Sequence, residues 1–111
     1  MAAQNNARRA LDEKLKSIWR DSQNVLAQRI AVLRKACPSA EAGSLTLAER
    51  DEAKAAAHKL AGSLGMFGLL DASAYASEIE LRLEQMAIGE AIAVRALLES
   101  LEQCMNRAFQ Q

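Results

Sequence analysis

The chain has 111 residues, half of them hydrophobic and a quarter charged, with 14 Lys plus Arg balanced by 14 Asp plus Glu. That length favours one domain, and the apolar content excludes a disordered chain. A formal net charge of zero argues against nucleic-acid and anionic-membrane binding, which normally call for a basic excess.

Composition points to helices. Alanine fills about a fifth of the chain, against one proline and five glycines, a mix that disfavours a turn-rich sheet protein. No apolar run approaches the roughly 20 residues that span a bilayer. Arg8 and Arg9 are not followed by a hydrophobic stretch, so the start does not read as a secretory signal. Cys37 and Cys104 lack metal-ligand spacing and read as free thiols in a reducing cytoplasm. The expectation is a soluble, cytoplasmic helical domain.

Apolar residues at steps of three and four mark the helices in chain order. In the first, Leu11, Leu15, Ile18 and Ser22 keep the step, and Leu26, Ile30, Leu33 and Cys37 resume it after a small phase slip. Pro38 is expected to end it, because proline disfavours a helical residue before it. Met1 to Arg9 carry no apolar ladder and are expected to overhang the domain. Ala40 to Ser44 read as a loop. Thr46 and Glu49 then form a capping-box pattern that opens the second helix. Gly68 closes it, since glycine tolerates the left-handed conformation found just past helix ends. The third helix carries Leu69, Ala72, Ala76, Ile79, Leu83 and Met86 and breaks at Gly89. The fourth carries Val94, Leu97, Leu101, Cys104 and Ala108.

The predicted helices thus span about 7–36, 46–67, 69–86 and 90–109 of a single domain. Short connections favour antiparallel neighbours, so the fold expected is all-α, an up-down-up-down four-helix bundle. A fully paired bundle leaves no open seam, and a monomer is expected. Trp19 and Tyr75 read as core or rim residues.

The one candidate for side-chain chemistry is His58, the sole histidine. At about 100° per residue, Ala53, Ala57, Leu60, Leu64 and Phe67 lie far around the wheel from it and form the core seam. His58 therefore faces solvent in mid-helix, and packing does not account for it. Residues three, four and seven away share its face: Lys54, Ala55, Ala61, Gly62 and Gly65, all small but the lysine. A glycine inside a helix costs roughly 0.8 to 1.0 kcal/mol relative to alanine, and alanine is abundant here. The pair Gly62 and Gly65 is therefore read as making room for another macromolecule beside the imidazole. The bland alternative is relief of crowding between helices. Lys54, one turn before His58, and Lys59, beside it, are candidate cations. A nearby cation favours a neutral imidazole with one nitrogen free, and stabilises an anionic group placed on that nitrogen.

No carboxylate stands at a spacing that would orient the imidazole, and no oxyanion donor set is visible, so a self-sufficient hydrolase is not expected. One histidine and two distant cysteines make a poor zinc set. What remains is a covalent group carrier, whose partner supplies the catalytic machinery.

The stretch Ala57–Gly68 resembles the signature of histidine-containing phosphotransfer (Hpt) domains. The matching positions are His58, Leu60, Gly62 and Gly68, continued by Leu69, Leu70 and Ala72. The resemblance implies a phosphorelay intermediate that exchanges a phosphoryl group on His58, through the outward Nε2, with aspartates of response-regulator receiver domains or with a hybrid histidine kinase. It implies no metal of the chain's own, with Mg²⁺ on the partner receiver. It also implies that Gly62 admits the receiver backbone, and that Leu60 and Phe67 are core residues holding the histidine helix. Many members carry a lysine three residues after the histidine. Here that position is Ala61, and Lys54, then Lys59, are the candidate replacements. The docking footprint expected is Lys54, Ala55, Ala61, Gly62 and Gly65, joined by Met66 on the flank and by part of the first helix. Kinase motifs are missing: no proline-containing dimerisation motif follows His58, and there is no glycine-rich ATP lid, so no autophosphorylation is expected. The alternative function is a receiver-docking module without phosphotransfer.

Overall fold

The computed structural model describes residues 2–85 and 88–109. Their regular structure is helical throughout: α1 (Ala2–Glu41), α2 (Leu47–Met66), α3 (Leu70–Gln85) and α4 (Ile88–Phe109). Each helix packs on its chain neighbour, and α1 also packs on α4, closing a four-helix ring. Leu26 and Leu33 of α1, Leu60 and Leu64 of α2, Ile79 and Leu83 of α3, and Leu101 of α4 meet in one fully buried cluster. On α1 and α4, Arg34 pairs with Glu102 and Glu41 with Arg95. Stepping up α1 thus means stepping down α4 by the same number of residues.

The helix ends follow local chemistry. Thr46 accepts the Glu49 backbone N–H on its hydroxyl at 3.1 Å, and the Glu49 carboxylate accepts the Thr46 N–H at 3.1 Å. The Thr46 backbone N–H first, and then the Thr46 side chain, hold the Glu49 carboxyl below its ordinary range. Gly68 has φ +76°. Its N–H reaches Gly65 O and the next one, from Leu69, reaches Leu64 O, so the last carbonyls of α2 are satisfied. The same device closes α1, at Gly43 with φ +70°.

Several boundaries differ from the sequence expectation. Helix α1 does not stop at Pro38 but runs on to Glu41. Burial of Cys37 and Ala40 against the core carries the chain past the proline, whose own position is exposed. At its other end α1 begins at Ala2 rather than near residue 7. The projecting part is also longer than expected, with Leu11 at 58% and Ile18 at 48% exposure. Gly89 lies in the first turn of α4 and does not precede it. The first-turn N–H groups have no intrahelical partners in any case, and burial of Ala91 and Val94 draws the helix start forward. The buried face of α4 is set by Ala91, Val94, Leu98, Leu101 and Met105, while Leu97, Cys104 and Ala108 are only partly buried. Phe67 is not a core residue. It caps α2, where the chain leaves helical geometry, and is 37% exposed. Tyr75 packs at the rim of the core. Met86 and the side chains of Leu15 and Trp19 lie outside the described residues. Among the described residues, no helix is long and apolar enough to cross a membrane.

Candidate functional site

Two sides of α2 do different work. Ala53, Ala57, Leu60 and Leu64 are completely buried, which fixes the rotation of the helix. That rotation turns His58 outward, leaving 76% of its side chain exposed. Sequence periodicity alone predicted this orientation.

The imidazole does not stand alone. Its Nδ1 lies 3.1 Å from Oε2 of Glu80 on α3. An ionised carboxylate can only accept, so Nδ1 carries the hydrogen and donates it. In the neutral ring the other nitrogen, Nε2, then holds the free lone pair. One turn away, Lys54 Nζ lies 3.6 Å from Glu84 of α3. The Ser73 hydroxyl donates to the Ala61 carbonyl at 2.7 Å. The rungs Lys54–Glu84 and His58–Glu80 step up α2 and down α3 together, so the two helices run in opposite directions beneath the histidine. Exposed pairs of this kind contribute only about 0–1 kcal/mol of stability. Their effect is on orientation.

On the other flank, Arg29 of α1 donates to the Ser63 hydroxyl at 2.9 Å and to the Lys59 carbonyl at 3.4 Å. The imidazole thus sits on an exposed ridge, with a carboxylate toward α3 and a guanidinium toward α1.

The expected neighbours of His58 separate into two groups. Ala55, Lys59 and Gly62 are exposed, and a Cβ built on Gly62 would meet nothing within 4 Å. Ala61 and Gly65 turn partly toward α3, where a Cβ on Gly65 would meet the Ser73 hydroxyl at 3.5 Å, an ordinary contact. Neither glycine is required by crowding between helices. Lys54 is present at the site, but its ammonium faces Glu84. Met66 is 89% exposed at the end of α2.

Glu80, Glu84, Ser73 and Arg29 were not identified from the sequence, and the expectation that no carboxylate orients the imidazole is corrected by Glu80. A signal was available. Glu80 follows Leu69 by as many residues as His58 precedes it, so folding the α2–α3 hairpin about Gly68–Leu69 places the two opposite each other. Among the described residues, no three His, Cys, Asp or Glu side chains converge on a metal site. Cys37, whose thiol is pushed up in pKa by burial, and the partly buried Cys104 are free.

A model of the Hpt domain family matches residues 17–111, a span that holds the histidine ridge and all but the projecting start of α1. The chain belongs to the Hpt domain family. Membership implies histidine phosphotransfer in two-component signalling. Hpt domains are phosphocarriers that work with receiver domains and kinases. No curated protein and no solved structure matches the chain.

Proposed function

We propose that this Hpt domain is a cytoplasmic phosphorelay intermediate that takes a phosphoryl group on Nε2 of His58 and passes it on. The observation that carries the reading is an exposed imidazole whose Nδ1–H is held by Glu80, leaving the Nε2 lone pair outward. In the forward step that lone pair attacks the phosphorus of a receiver's aspartyl phosphate. The P–N bond forms as the P–O bond to the aspartate breaks, and the bonding pair leaves with the aspartate carboxylate. Glu80 offsets the positive charge that develops on the ring. Donation to a second receiver, or exchange with a hybrid histidine kinase, is the reverse sequence. The receiver brings the acidic pocket and Mg²⁺, and this chain has no self-contained catalytic machinery.

The docking footprint is the ridge itself: His58 with Ala55, Ala61, Gly62, Gly65 and, on the flank, Met66. Gly62 supports it best, because open space above a helical glycine is room that no internal contact uses. Lys59 is exposed and free to approach the phosphoryl oxygens, whereas Lys54 must first leave Glu84. The opposed stepping of α1 against α4 and of α2 against α3 supports an antiparallel up-down-up-down bundle as the frame.

Ala61 in place of the usual lysine, together with the engagement of Lys54, favours one second reading, receiver docking without transfer. The deciding experiment incubates the protein with a phosphorylated receiver and Mg²⁺, then with fresh receiver. Transfer predicts an acid-labile, base-stable label on the wild type that disappears in His58→Gln. Binding without label across several receivers would leave only the docking reading.

A further inference from the structure

Among the described residues, the side chains of α1 as far as Asp21 are exposed. Forty residues at about 1.5 Å each make α1 about 60 Å long, close to the 62 Å long axis of the whole molecule. Residues 9–14 and 16–18 are exposed, and the side chain of Leu15 lies outside the described residues. The Hpt match begins only at residue 17, so most of this arm is additional to the family domain.

The arm carries its own pattern. Leu11, Ile18 and Val25 recur every seven residues and are 58%, 48% and 41% exposed. Leu15 and Ser22 fall between them by sequence register, completing the four-three alternation of a coiled-coil seam. Where the stripe reaches the bundle it opens into a groove of about 300 Å³, walled by Ile18, Val25 and Arg29 of α1, by Ser63 of α2 and by Phe67 at its C-cap. The stripe and the groove are one continuous surface.

We infer that the α1 arm pairs antiparallel with the arm of a second copy of this chain. Charge decides the partner and its direction. Lys14 and Asp21 flank the stripe at equivalent heptad positions, and both are exposed. Placing Leu11 opposite Ser22 of a second, antiparallel copy brings Lys14 against Asp21 of that copy, and symmetry repeats the pair. A parallel pair offers no such match: Lys14 would face Trp19, and Asp21 would face Leu26, which is buried in its own bundle. Antiparallel arms hold the two bundles at opposite ends. A net charge of zero leaves no long-range repulsion between copies. This inference goes beyond phosphotransfer and does not rest on it.

Sedimentation equilibrium on the full chain tests it. The expected result is a concentration-dependent rise toward twice the 12.1 kDa chain mass. Ile18→Asp should remove the rise while the far-UV spectrum and melting of the bundle stay unchanged, because Ile18 lies outside the core. Lys14→Asp and Asp21→Lys should each weaken association by about tenfold, turning two attractions into repulsions, and the double exchange should restore it. A chain that stays monomeric up to high micromolar concentration overturns the inference, as does a double exchange that fails to restore association. A receiver that binds Ile18→Asp less tightly than wild type, with the wild type monomeric, would assign the stripe to the receiver instead.

Discussion

The two faces of α2 follow opposite rules. On one, Ala53, Ala57, Leu60 and Leu64 leave no accessible surface, and every side chain is answered by another helix. On the other, His58 is three-quarters exposed and Gly62 looks into open space. A helix selected for stability alone would carry alanine at position 62. That glycine stands at this one position, with alanine at Ala55 and Ala61 on the same face, fits the docking proposed for the ridge.

The comparison can be broken from either side. Leu60→Ala should damage the buried face most, lowering unfolding free energy by about 2–5 kcal/mol in chemical denaturation, since Leu60 is fully buried. Gly62→Ala should do the reverse. It should stabilise the fold by about 0.5–1 kcal/mol while weakening receiver docking in a calorimetric titration. A variant that binds receiver as tightly as wild type would remove the footprint from this ridge.

Glu80 sharpens the contrast. Glu80→Ala should slow phosphoryl uptake by about tenfold, the kinetic effect of losing one hydrogen bond to a charged group, with a melting temperature close to wild type. Glu80→Gln keeps an acceptor for the Nδ1–H and should recover part of that rate. Equal rates for all three proteins would show that ring orientation is not limiting.

The smallest expected effect lies at the start of the same helix. The Glu49 carboxyl titrates below its reference value of 4.5 because it accepts the Thr46 backbone N–H. A depressed folded-state value stabilises above the unfolded pKa, and the contribution disappears as pH falls through the folded one. Wild type should therefore lose its small advantage over Glu49→Gln as pH drops below about 4.5, followed by denaturation at each pH.

What the sequence could reveal depended on whether a feature lay within one helix or between two. Periodicity placed the four helices and the outward turn of His58, because both are properties of a single helix. Gly68 and the Thr46–Glu49 pair marked the ends of α2 for the same reason. The run of α1 through Pro38 was hidden, since a local preference gave way to burial of Cys37 and Ala40 elsewhere in the fold. Phe67 kept the phase of the core seam but sits where the helix has already ended. Glu80, Ser73 and Arg29 belong to neighbouring helices, and their approach to α2 is set by the register of packing, which no one helix encodes.

The Glu80 hydrogen bond also bears on energy storage. In the proposed carrier, a proton kept on Nδ1 leaves a phosphorylated ring cationic, so the ring departs from phosphorus as neutral imidazole and not as imidazolate, a far poorer leaving group. The group is then held at a high transfer potential. A relay built on such a residue runs in either direction according to which receiver is loaded, and gives up a long-lived phosphorylated state in exchange for reversibility.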